Sequence, residues 1–368
     1  MLHNLFLNYE AIKLPVQNNN YINCIAILIL FIACIATYGK RHSSFLDKLQ
    51  TIQLRGIAIL FIIIGHFWVH VSQIQSNIIL GGEGVALFLI LSGYGLTLSF
   101  RNKKPNLKKY LSRRIKRVMV PYWSTTILIM ILDYFILNRF YSFNDIILTF
   151  IGININSSTQ HIDYVRWYIT MLIFWYIVFY ISMSITNETK SIVVMFLCAA
   201  AVFPINYYIT RWSWYQIFAF PVGCLIGGSF RDLKMFFQKY QRVFFIISLM
   251  LVFLIILYKI FLSPMIMSII PTIIYKSSRE FISIMLSIPL IYLIAFVGSK
   301  QYYSKILVHI GSVSYELFLL HGPFLIKYDP IIGRATGSLL LLEIVAFLLM
   351  IISMAFFFRQ ALKIFYDD

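Results

Sequence analysis

Two residues of one apolar run have the types and spacing to do chemistry: Arg55 and His66, within residues 52–71. At about 100° per residue, their separation makes three turns plus roughly 20°, so both side chains share one helix face. They stand about 16 Å apart along the axis, given a rise of 1.5 Å per residue. A guanidinium can hold phosphates, and a neutral imidazole can take a proton from an attacking hydroxyl. The separation suits a donor with a charged head and a long thin arm, the shape of a coenzyme A ester. Taken alone, the pair has a simpler structural reading, an interfacial anchor and a hydrogen-bonded membrane histidine.

Few other ionisable groups lie inside apolar runs, where a charge at the bilayer centre costs about 2.5 to 3.5 kcal/mol. Glu316 falls near the middle of the run 306–327 and requires a partner, a proton or water. Asp133, Arg166, Lys259, Lys327 and Glu343 fall within a turn or two of run ends and are read as structural, with side chains that snorkel.

The elements that must position these groups are transmembrane helices. With 60% hydrophobic and only 12% charged residues, the chain cannot cover a soluble surface with polar groups. Its apolar runs match the roughly 20 residues a helix needs to cross the bilayer core, and they lack the alternation of barrel strands. The expected fold is all-α, a polytopic transmembrane bundle of about 10–11 spans, placed at 21–38, 52–71, 81–100, 118–137, 166–185, 191–209, 214–230, 243–262, 280–298, 306–327 and 338–358. Alternate connecting segments, 39–51, 101–117, 186–190, 231–242, 299–305 and 359–368, hold 21 of the 31 Lys and Arg residues. By the positive-inside rule these are cytoplasmic, which puts the N-terminus outside and the C-terminus inside. The net charge of +17 therefore follows from topology in a cell membrane, and no nucleic-acid partner is expected.

The first apolar run follows a largely uncharged stretch and precedes Lys40 and Arg41, the wrong polarity for a cleaved signal. Cys24, Cys34, Cys198 and Cys224 lie inside apolar runs as small hydrophobes, so neither a disulfide framework nor a metal site is expected. Residues 1–50 read as an external segment, an accessory helix and a polar linker, and 51–368 as one membrane domain. Within 138–165, the apolar stretch from Ile146 to Ile155 is too short to cross and reads as re-entrant or interfacial.

Three further segments join the first pair. One reads Gly84-Val85-Ala86-Leu87-Phe88, then Ser92-Gly93-Tyr94; another Arg113-Arg114-Ile115-Lys116-Arg117, then Pro121-Tyr122-Trp123. The last reads Ser314-Tyr315-Glu316, then Leu320-His321-Gly322-Pro323. With Arg55 and His66, these resemble in order the motifs of the acyltransferase 3 family, membrane proteins that include O-acylating enzymes of bacterial surface glycans. Where many members carry an acidic residue just after the Gly-Val pair, this chain has Ala86, with Glu83 on the other side. The helix 21–38 precedes the usual start of the family core.

The resemblance implies an O-acyltransferase using an acyl-CoA, most often acetyl-CoA, as co-substrate, with no bound cofactor. The acceptor would be a carbohydrate hydroxyl of a surface polysaccharide or glycolipid. His66 would be the leading catalytic residue, as a base or as a transient acyl carrier, with His321 and Glu316 beside it. Arg55, Arg113, Arg114 and Arg117 would hold the donor, and Ser92, Tyr94, Trp123, Ser314 and Tyr315 would line the pocket. His321 and His66 fall at matching depth in their runs, and Ser314 shares a face with His321. Two other classes stay open: a transporter or flippase for a lipid-linked glycan, and a membrane sensor or assembly subunit without catalysis.

Overall fold

The computed structural model describes residues 19–41, 44–70, 78–154, 162–205, 216–269, 272–328 and 340–363. The distal end of the expected span 191–209 and the first residues of 214–230 lie outside the described residues, as does 364–368.

In hydrocarbon every backbone N–H and C=O must find its partner within the chain, and runs this apolar satisfy that as helices. In order these are α1 Asn19–Ala36, α2 Lys48–His70, α3 Gly81–Lys103, α4 Leu107–Arg114, α5 Val120–Leu137, α6 Phe143–Phe150, α7 Trp167–Ile185 and α8 Glu188–Ile205. They continue as α9 Ala219–Gly228, α10 Phe230–Lys239, α11 Gln241–Leu257, α12 Ser263–Ile269, α13 Thr272–Ser299, α14 Lys305–Ser312, α15 Ser314–Ile326 and α16 Leu340–Leu362. A short antiparallel ribbon joins β1 Tyr38–Lys40 to β2 Tyr302–Ser304, with Gly39 opposite Tyr303.

Among the described residues, eight helical stretches are long and apolar enough to cross a bilayer. The architecture is the expected polytopic helical bundle, and the three remaining expected spans differ individually. Helix α8 reaches the end of its described stretch at Ile205, and α9 has only 10 residues. The run 306–327 is two helices, because the chain leaves helical geometry at Val313 (φ −111°, ψ 17°). Val313 is β-branched and flanked by Ser312, whose hydroxyl bonds back to the His309 carbonyl, and by Ser314; both features weaken helix continuity. Glu316 consequently sits in the first turn of α15 and not in mid-span.

The basic segment 101–117 is likewise not a loop. Helix α4 starts at Asn106, whose side chain accepts the Lys109 N–H, and continues through a π-helical turn, Ile115–Met119, into α5. Pro121 explains the widening, since its ring lacks an N–H and crowds the carbonyl four residues earlier. The same device recurs at Tyr258–Leu262, just ahead of Pro264, between α11 and α12.

Helices α2 and α3 form the centre, with 67% and 72% of their apolar windows buried, against 17% for α1 and 11% for the stretch through α11. Close backbone approach makes this centre. Gly56 and Gly311 let α14 lie directly on α2; a Cβ on Gly311 would run into the Ile52 carbonyl. Gly311→Ala should therefore destabilise the protein by about 1–3 kcal/mol, the overpacking cost of soluble cores, read as a lower melting temperature of the purified protein. Gly95→Ala, mid-helix with no atom within 4 Å of the added Cβ, should not lower it and should raise it slightly.

The apolar stretch after α5 forms α6, too short to cross, capped by the Ser142 hydroxyl on the Asp145 N–H. Tyr122 and Trp123 tie α6 to α5, donating to the Thr149 and Phe150 carbonyls, both at 2.7 Å.

Candidate active site

Helix α2 carries both Arg55 and His66, and α15 brings His321 to the His66 end. His66 Nδ1 and His321 Nε2 are 2.8 Å apart, with ring planes 3° from parallel. His321 is fully buried, and its Nδ1 faces the carbonyl oxygens of Phe318 (2.8 Å) and Leu317 (3.1 Å). Carbonyls only accept, so Nδ1 of His321 carries the hydrogen and its Nε2, in the neutral ring, accepts. His66 Nδ1–H then donates to it, which makes Nε2 the basic atom of the half-buried His66. A backbone carbonyl thus fixes one tautomer, which fixes the next.

The wall around this pair comes from the 3₁₀ turn Tyr164–Arg166 that opens α7. The Tyr164 ring meets His66 edge-on, centroids 5.1 Å apart. Asp163 accepts the Val165 N–H and abuts Gly322, the neighbour of His321. Burial lifts the Asp163 carboxyl to about 6, against the opposing pull of Arg166. Arg166 is 1% exposed, bonds through Nη1 to Thr126 Oγ1, and lies over the Tyr122 ring at 5.1 Å.

Ion pairs inside the bundle hold this end in place. Asp133, fully buried, accepts from Lys327 Nζ at 2.9 Å and from the hydroxyls of Tyr141 and Tyr328. Lys327 Nζ also donates to the Ile162 carbonyl, which ties the segment before Asp163 to α15. Glu83, in the first turn of α3, pairs with Lys259 at 2.6 Å, and that lysine sits in the π turn after α11. The expectation that Asp133, Arg166, Lys259 and Lys327 are snorkelling end groups is corrected: each is at least nine-tenths buried and paired. Run-end position alone does not distinguish the two cases; the presence of opposite charges on several runs was the available signal.

At the other end of α2, Arg55 is exposed, with Arg117, Arg359, Tyr168 and Tyr176 as its electrostatic neighbours. Among the described residues, none of Arg55, Arg117 and Arg359 forms an ion pair with an acidic side chain. Convergent cations with no carboxylate in salt-bridge contact, even with Glu316 within electrostatic range of one of them, favour an anion. Arg359, on α16, was missed by sequence reading because it lies outside every motif. Arg114 is held between the rings of Tyr110 and Tyr176, at 5.8 and 5.2 Å, and Arg113 is half-buried on the same helix. Glu316 is buried in the first turn of α15, where the helix dipole favours an anion, within electrostatic range of Arg359. Between the two ends, Tyr168 packs on Phe318 (4.9 Å), and Phe318 packs on His321 (5.7 Å).

The pocket candidates are scattered. Tyr94 donates to the Leu46 carbonyl at 3.0 Å and packs on Phe230, anchoring the linker before α2. Trp123 anchors α6. Tyr315 donates to the Val118 carbonyl in the π turn, Ser314 is buried at the start of α15, and Ser92 is half-buried on α3. Among the described residues no three His, Cys, Asp or Glu side chains converge, so no metal ligands are assigned.

A multi-pass helical bundle with a hydrogen-bonded histidine pair at one end of its central helix and clustered arginines at the other defines a class of membrane protein. The acyltransferase 3 family model, described as an acyltransferase domain, matches residues 44–358, and the chain belongs to that family. No curated protein and no solved structure matches it.

Proposed function

We propose that the chain is a plasma-membrane O-acyltransferase that moves an acyl group, acetyl in the first instance, from a cytosolic coenzyme A thioester to a hydroxyl of an extracytoplasmic carbohydrate. The observation that carries this reading is the His66–His321 hydrogen bond, with His66 standing on the same helix as Arg55, about three turns away. The distribution of Lys and Arg supports the direction, with Arg55 toward the cytoplasm and His66 toward the outside. Arg55, Arg117 and Arg359 hold the donor's phosphates, assisted by Arg113 and Arg114. The thin arm of the donor passes along Tyr168 and Phe318, and the thioester reaches the histidines.

There, His66 Nε2 takes the proton of the acceptor hydroxyl as its oxygen attacks the thioester carbonyl. The resulting imidazolium is held by its hydrogen bond to His321. Collapse of the tetrahedral intermediate breaks the carbon–sulfur bond, and the His66 proton passes to the departing thiolate. The products are the carbohydrate ester and free coenzyme A.

Binding of acetyl-CoA to the purified protein, measured by calorimetry, tests the donor half. The wild type should bind, and Arg55→Gln should weaken binding by about tenfold, the loss of one charge-assisted contact of roughly 1.5 kcal/mol. The effect should shrink as salt is raised. A wild type with no affinity for acetyl-CoA would remove the proposal.

A further inference from the structure

Beside the histidine pair lies a donor–acceptor couple that the fold leaves incomplete. Arg166 Nε faces Asp163 Oδ2 at 3.6 Å, beyond hydrogen-bond length. Arg166 Nε and Nη2 and Asp163 Oδ2 are all buried, and among the described residues none has a hydrogen-bond partner. The rest of each side chain is firmly held. Asp163 Oδ1 accepts the Val165 N–H at 3.1 Å, while Arg166 Nη1 is bound to Thr126 and its guanidinium lies over Tyr122.

Buried polar atoms without partners are rare, and those that persist at a site require an explanation. Here the unmet atoms are two donors next to one acceptor. A hydroxyl matches such a couple, since it accepts from the guanidinium while donating to the carboxylate. An anion would meet Asp163, and a cation would meet Arg166. A neutral polyhydroxyl molecule satisfies both. The couple is adjacent to the chemistry in two directions: Tyr164, between Asp163 and Arg166 in sequence, packs on His66, and Asp163 abuts Gly322 beside His321.

We propose that Asp163 and Arg166 form the subsite that grips the carbohydrate acceptor, holding one ring hydroxyl so that a neighbouring hydroxyl meets His66 Nε2. The proposal rests on the acyl-transfer reading above and names the acceptor side of that site. Arg166 and Asp163 are binding residues here, and the donor cluster around Arg55 is independent of them.

The test compares wild type with Arg166→Lys and Asp163→Asn, each assayed for acetyl-CoA binding by calorimetry and for base-labile acetate on the envelope carbohydrate of expressing cells. Arg166→Lys keeps a cation against Asp163 but loses the planar fork. It should bind acetyl-CoA as the wild type does and lose at least tenfold of the ester acetate. Asp163→Asn should do the same. Should either variant fail to accumulate, the double variant Asp163→Asn/Arg166→Gln, which leaves no unpaired charge, should accumulate and still lack ester acetate. Full ester acetate from Arg166→Lys or from the double variant would show that the couple is only a structural ion pair, and would overturn the proposal. An equal loss of acetyl-CoA binding would overturn it too, by placing the defect on the donor side. If the wild type binds no acetyl-CoA, the parent reading fails, a result distinguishable from failure of the subsite alone.

Discussion

His66→Ala should lower coenzyme A release in the presence of acceptor by about 10²–10⁴-fold, the usual contribution of a positioned general base. The amount of protein in the membrane should stay at the wild-type level. His66 is half-buried and hydrogen-bonded to His321, so truncation costs the fold about 0.5–1.5 kcal/mol for that bond. His321→Gln should give a smaller loss, since glutamine removes the ring that fixes the His66 tautomer but leaves the base in place. Rates are measured by thiol release from acetyl-CoA in isolated membranes. Wild-type rates from His66→Ala would eliminate the base, and a burst of coenzyme A before steady turnover would instead mark an acyl-imidazole intermediate.

Lys327→Met should be strongly destabilising, by about 3–5 kcal/mol, the cost of leaving a buried charge without its partner. Asp133 is fully buried and accepts from Lys327 and two tyrosines, so the charge has no route to water once the lysine is gone. Asp133→Asn combined with Lys327→Met removes both charges and should recover most of the loss. The thermal midpoint of purified protein checks both variants. A Lys327→Met protein as stable as wild type would contradict a stabilising ion pair between Lys327 and Asp133. Because Lys327 also donates to the Ile162 carbonyl, the single variant should reduce activity along with stability.

Much of this molecule was legible in the chain itself. The lengths of the apolar runs place the helices, and the eleven-residue step from Arg55 to His66 survives unchanged on α2. The bringing together of His66 and His321 was legible only as matching depth in two runs. Other features depend on contacts between distant segments. The break at Val313 and the π turn through basic segment 107–117 have local causes, the β-branched Val313 with its flanking serines and Pro121, but each is too weak a signal to be decisive without the packed helices. Asp133 and Arg166 were read as end groups because depth was judged from each run separately, whereas their pairing with Lys327 and Asp163 is a property of the packed bundle. Arg359 lies outside every motif, and only the fold carries it toward Arg55. Tyr94 and Trp123, chosen from motifs as pocket residues, bond backbone carbonyls of the linker and of α6, contacts that motif spacing does not encode.

The proposed mechanism has His66 mediate transfer of an acyl group onto a carbohydrate outside the membrane. Mass spectrometry of surface glycan, from cells lacking the protein and from cells expressing either wild type or His66→Ala, tests it most directly. Wild type alone should give a gain of one acyl group per modified unit. Identical glycan masses in all three, or the same gain with His66→Ala, would contradict it.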